Sequence, residues 1–143
     1  MDKYAPSEIK NNCIVTISRL AIGNPSVIAQ YIGPYFPNYC MLINRIRPLG
    51  ERHDTYHGLC LIIQNNPNLA INNFRYVGHC LVSINKKQLL DDITDEIKQM
   101  FGQIIIGIKQ SKDNGNDQAW EAFLTSCGVQ GPLRDGLRGY YGV

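Results

Sequence analysis

From Leu89 to Ile108 the apolar side chains Leu89, Leu90, Ile93, Ile97, Met100, Phe101, Ile104 and Ile108 return at a period close to 3.6. Only an α-helix gathers such a series on one face, and a helix of that length needs an apolar partner surface along most of it. Asn85 with Gln88 three residues later has the form of a capping box. Asp91, Asp92, Asp95 and Glu96 fall in the first half, and Lys109 and Lys112 fall near the end, where the helix dipole favours each sign. The pattern predicts a helix over about residues 85–110, and the fold must be arranged to cover it.

Other segments read the same way. Ser7 is placed to cap a first helix, in which Ile9, Cys13, Ile14, Ile17, Leu20 and Ala21 recur until Gly23-Asn24-Pro25 interrupts the pattern. Between residues 25 and 50, Pro25, Pro34, Pro37 and Pro48 each break helix formation. Short helices near 26–33 and 38–46 are expected there. Residues 51–64 carry Tyr56, Leu59, Cys60, Ile62 and Ile63 on one side, and residues 69–84 are almost wholly apolar from Tyr76 onward. Helix is favoured in both, strand remains a rival, and the second is expected to be buried on all sides. Asn114-Gly115 then makes a turn, Asn116 or Asp117 is placed to cap, and Trp120, Phe123, Leu124 and Cys127 share a face up to Gly128. The expectation is an all-α chain forming one domain over 1–143, with no internal repeat and a glycine-rich tail from about 128 to 143.

Several function classes are disfavoured. With 14 basic and 12 acidic residues evenly spread, the chain offers no phosphate-binding stripe, so nucleic acid is not an expected partner. The five cysteines are odd in number and mostly set in apolar context, as reduced thiols are. No apolar run approaches the roughly 20 residues of a membrane helix. A polar N-terminus without the layout of a secretory signal gives an expectation of cytoplasmic residence. No GxGxxG or Walker A sequence occurs. Neither an enzyme activity nor a cofactor is expected.

Three local constellations have a chemical and a plainer reading. His53, His57 and Cys60 would share a helical face as three zinc ligands, but a fourth has no candidate, and two histidines beside a buried cysteine is simpler, so no metal is expected. His79-Cys80 would point in different directions on a helix, unlike a nucleophile and base in contact. Asp91, Asp92, Asp95 and Glu96 read as a solvated helix face rather than a calcium loop. Arg75 is by default a surface residue whose stem covers apolar groups. Its sharper reading is a guanidinium beside an apolar groove, set to receive a partner's carboxylate.

Two segments resemble the Bcl-2 family of apoptosis regulators. Trp120, Glu121, Phe123, Leu124 and Gly128 after an Asn-Gly turn match the spacing of that family's second homology region. Asn72, Arg75 and Gly78 match its first, with Asn73 and Phe74 in place of Trp and Gly. Ile46-Arg47-Pro48-Leu49-Gly50-Glu51 echoes its third, although Pro48 interrupts a continuous helix there. The match covers roughly residues 69–128, and its compactness resembles viral members without a membrane anchor.

The resemblance implies a helical bundle around a central hydrophobic hairpin made by the 69–84 and 85–110 segments. It implies an inhibitor of apoptosis that sequesters pro-apoptotic Bcl-2 proteins by taking their death-ligand helix into a groove. Asn72, Phe74, Arg75, Val77 and Gly78, with Leu59, Ile63 and Ile46, would form the groove. Arg75 would pair with the ligand aspartate, while Trp120, Phe123 and Leu124 would close the groove's end. A homodimer and recruitment to mitochondria by partners are compatible with this reading. Phe74 and the proline-interrupted 25–50 region leave a second expectation, a helical signalling adaptor or self-associating scaffold with an occluded groove.

Overall fold

The computed structural model describes residues 7–45, 51–86 and 93–143, and all its regular elements there are helical. In chain order they are α1 (Ser7–Gly23), α2 (Pro25–Tyr31), a single 3₁₀ turn (Gly33–Tyr35), α3 (Phe36–Ile43), α4 (Arg52–Asn65), α5 (Pro67–Asn72), α6 (Phe74–Ser83), α7 (Asp95–Asp113), α8 (Asp117–Ser126) and α9 (Gly131–Tyr141).

The long helices α1, α4 and α7 lie side by side in one layer, α4 between the other two. The short helices form the other layer, with α3 against α6 and α6 against α9. Each long helix also touches the short helix that follows it, so α1–α3, α4–α6 and α7–α9 are three units stacked on their nearest neighbours. The long helices begin at Ser7, Arg52 and Asp95, a spacing near the about 40–47 residues that a two- or three-helix repeat occupies.

The first two units share a turn. Asn24 (φ −149°, ψ 78°) and Asn66 (φ −143°, ψ 83°) adopt nearly the same backbone conformation, and each precedes a proline at the start of a short helix. Proline is tolerated there because the first helical N–H has no intrahelical acceptor to lose. In the third unit Asn116 holds the corresponding place, its side chain accepting from the Gln118 N–H at 2.8 Å. Asn114 just before it takes φ 47°, which ends α7. The chain is therefore internally repetitive, contrary to the expectation of no repeat. The recurring signal is a turn and a break of period rather than a conserved string of side chains.

Other expectations change as well. The 69–84 segment is two helices parted at Asn73 (φ −129°, ψ 33°), and Arg75 and His79 on α6 are exposed rather than buried on all sides. Asn85 does not start the next helix. Its amide donates to the Leu81 carbonyl (2.9 Å) and the Tyr141 hydroxyl (2.8 Å), which itself donates to the Leu81 carbonyl (2.7 Å), tying α6 to α9. Gln88, Leu89, Leu90, Asp91 and Asp92, like Ile46 and Pro48, lie outside the described residues. Instead of a central α6–α7 hairpin, α6 sits between α3 and α9 while α7 sits on α4. The glycine-rich tail is the helix α9, with Leu133 and Leu137 buried.

Two close approaches fix the layers. A Cβ on Gly58 of α4 would lie 2.6 Å from the Ser18 carbonyl oxygen of α1, so only glycine permits that crossing. Beneath it the buried Ser18 hydroxyl donates to the Ile14 carbonyl (2.8 Å) and meets the Tyr39 hydroxyl at 2.6 Å, joining α1 to α3. Burial pushes the Tyr39 phenol well above its ordinary pKa, so this bond is made by neutral hydroxyls.

Candidate functional site

The residues expected to form a groove separate into two groups. Leu59, Ile63, Phe74, Val77 and Gly78 are buried, while Asn72 and Arg75 face solvent. Gly78 does not open space for a ligand helix, since a Cβ there would meet Leu133 of α9 at 3.6 Å. Phe74 is 1% exposed and lies under two other rings. Its ring centroid is 5.9 Å from that of Trp120, edge-on at 68°, and 5.5 Å from that of Phe123, while Trp120 stacks on Phe123 at 5.7 Å. These rings join α6 to α8 as core, each large buried side chain contributing roughly 1.5–3 kcal/mol by removal from water.

Trp120 and Leu124 are buried, as their helical spacing predicts. The indole N–H of Trp120 donates to the Val143 carbonyl at 2.7 Å. Gly128, at φ 77°, ends α8 in the left-handed conformation that glycine adopts without strain. Arg134 clasps Glu121 through two guanidinium nitrogens and also donates to the Val143 carbonyl at 3.1 Å. That clasp holds the Glu121 carboxyl below its usual range, with Arg138 adding its charge.

Ile63 borders an apolar pocket of about 340 Å³ where Pro67 and Ile71 face Ile104 and Ile108 of α7, and Arg75 borders a depression of about 460 Å³ between α3 and α6, lined by Met41, Asn44, Arg45, Arg75, Tyr76 and His79. The depression forms because α6 buries Phe74, Val77, Gly78, Cys80 and Leu81 and so turns Arg75 and His79 outward. The Arg75 stem lies over the α8–α9 connection, where a Cβ at Gly128 would come 3.6 Å from Arg75 Cδ. None of the six lining residues is acidic, and no salt bridge involving Arg45 or Arg75 occurs among the described residues. Partial burial, then the charges of Arg75 and Lys86, lowers the His79 pKa. Of these six only Arg75 was expected from the sequence as a site residue; Met41, Asn44, Arg45, Tyr76 and His79 were not. Arg75 was legible because a charged residue interrupted an apolar run.

Other constellations are dispersed by the fold. The His53 and His57 rings meet edge-on at 6.0 Å, and His53 Nδ1 lies 3.6 Å from Asp54, while Cys60 is buried with its thiol pKa raised by that burial. Cys80 donates its thiol to the Cys40 carbonyl at 3.3 Å, away from the exposed His79 ring. All five cysteines are free. No helix among the described residues is long and apolar enough to cross a membrane.

No known protein-family profile matches the chain. It is similar to Transportin-1 of Mus musculus and of Homo sapiens, 27% identical to each over 139 residues, which is 96% of this chain and 14% of either relative. It is also similar to Transportin of Dictyostelium discoideum, 34% identical over 80 residues, or 56% of this chain and 9% of that protein. The chain thus spans only a small part of the relatives it matches. This likeness overturns the apoptosis reading: the relatives are transportins, not Bcl-2 regulators, and the death-ligand partners and viral sequestering role are withdrawn. Recruitment to mitochondria loses its support with them. The physical reason is local. Here Asn116 caps α8, Trp120 and Phe123 pack on Phe74, and the Arg75 stem lies against Gly128, so capping and packing account for the residues that carried the resemblance.

Proposed function

We propose that the chain is a helical-repeat segment of a transport receptor of the transportin type, a non-enzymatic scaffold that holds a partner polypeptide on its short-helix layer and works in the cytoplasm. The carrying observation is the nearest-neighbour stacking of three equivalent units, together with similarity to transportins along 96% of the chain. Such stacks bind partners along an extended face because each unit adds surface without altering the core of the next. The α3 and α6 depression lies on that layer. A peptide array probed with the purified chain tests the reading. Binders that lose affinity with Met41→Glu but not with Gln99→Glu on α7 support it, and absence of binders, or binders indifferent to Met41→Glu, overturns it.

A second reading, a self-associating scaffold, is favoured by one specific surface. Ile9 and Leu20 on α1, Val27 and Tyr31 on α2, and Tyr35 beyond it are exposed large apolar side chains on the first unit. Ile9 and Leu20 flank Cys13 and Thr16 on one stripe of α1, on the unit opposite the stack end that carries exposed Gln99 and Gln110 on α7. Two copies meeting through these first-unit faces would close as a dimer, because α7 sets one exposed large apolar side chain, Ile106, between Gln99 and Gln110, against the five just named on the first unit. Light scattering should then give twice the 16.1 kDa chain mass, with Leu20→Glu restoring the monomer. A monomer at 100 µM, an order-of-magnitude working concentration for weak dimers, would rule it out.

A further inference from the structure

We propose that the Arg45–Arg75 depression is a docking site for an acidic segment of a partner polypeptide, one that sets carboxylates beside an aliphatic or aromatic side chain. The inference rests on the partner-binding reading above and names the partner's chemistry. Arg45 closes the C-terminal end of α3, and Arg75 stands in the first turn of α6, so two guanidiniums from different units border one concavity. Neither is paired with a carboxylate of this chain among the described residues, in contrast to Arg19, which bonds Asp54 at 3.0 Å, and to Arg134, clasped by Glu121.

The walls between the two charges are Met41 and Tyr76. Met41 is 44% exposed, an apolar group left uncovered beside cationic heads. Planar guanidiniums bind carboxylates through paired N–H donors, and a neighbouring thioether and phenol ring give an apolar side chain its contact. The pKa of His79 on the rim is lowered first by partial burial and then by the neighbouring charges of Arg75 and Lys86. A nucleic acid fits less well. Its backbone needs a continued basic track, whereas this chain carries 14 basic against 12 acidic residues without a block of Lys and Arg.

The test is fluorescence anisotropy with the full chain and four labelled probes. One is a peptide alternating Glu and Asp with Leu and Trp, the second replaces its acids by Gln and Asn, the third by Lys, and the fourth is oligouridylate. The acidic peptide should bind, weaken as salt rises, and lose at least tenfold in affinity with either Arg45→Gln or Arg75→Gln, circular dichroism showing both variants folded. Equal binding of the amide peptide, or acidic-peptide affinity unchanged in both variants, overturns the proposal. Tighter binding of oligouridylate at the same arginines also overturns it. If the amide peptide binds and Met41→Glu abolishes it, the scaffold reading stands while the charge inference falls. If no peptide of any charge binds, both fall.

Discussion

Gly58 and Ser18 touch backbone to backbone: a methyl group on Gly58 would come within 2.6 Å of the Ser18 carbonyl oxygen and 2.7 Å of its Cα. The contact sets how closely the first two long helices approach, and every later unit stacks on the position it fixes.

Gly58→Ala should therefore destabilise the fold by about 1–3 kcal/mol through overpacking, despite alanine's better helix propensity. Gly78→Ala offers the opposite sign. Its methyl group would meet Leu133 at an ordinary 3.6 Å, so a gain of up to about 1 kcal/mol is expected from helix propensity. Urea unfolding of both variants measures the pair, and equal effects would refute the assignment of Gly58 as the crossing point.

The hydroxyl chain beneath that crossing predicts an asymmetry. Ser18 donates to Ile14, so Tyr39 must donate to Ser18. Ser18→Ala strands the buried Tyr39 hydroxyl and should cost about 1–3 kcal/mol, whereas Tyr39→Phe leaves Ser18 satisfied and should cost about 0.5–1.5 kcal/mol. Thermal unfolding of the two single variants checks the order.

Phe74 is expected to behave as core and not as a ligand contact. Phe74→Ala opens a cavity under Trp120 and Phe123 and should cost about 3–5 kcal/mol. Because Trp120 is the sole tryptophan, its emission should shift to the red in this variant. An unchanged spectrum with full stability would return Phe74 to the surface.

His79 gives a pH signature. Its pKa is lowered first by partial burial and then by Arg75 and Lys86. On acidification the unfolded chain binds this proton before the folded chain does. The contribution to stability is thus complete above the unfolded value of about 6.5 and is lost as pH falls through the lower folded value. Proton NMR titration should place His79 below an ordinary histidine, and Arg75→Gln should move it upward.

Local sequence was sufficient for much of the helical content. The period through Ile97, Phe101, Ile104 and Ile108 gave α7, Asn116 and Gly128 bounded α8, and the proline at 25 ended α1. These features act within one or two turns, and side-chain spacing with capping chemistry encodes them directly. What escaped was the equivalence of Asn24-Pro25 and Asn66-Pro67, legible only once both are seen to begin short helices that follow long ones.

Stacking order belonged to the tertiary structure. The alternation of apolar and polar positions says that α6 must bury one side, but not whether its cover is α7 or the α3–α9 pair. That choice rests on the shape of the contact between distant segments: Gly136 of α9 approaches α6 so closely that a Cβ on it would lie 2.9 Å from Val82 Cγ2. Arg75 shows the division most plainly. Its charge and its place at the head of an apolar helix were set by sequence, while its neighbours Arg45, Met41 and His79, and hence the chemistry it offers a partner, came only from the packing of one unit against the next.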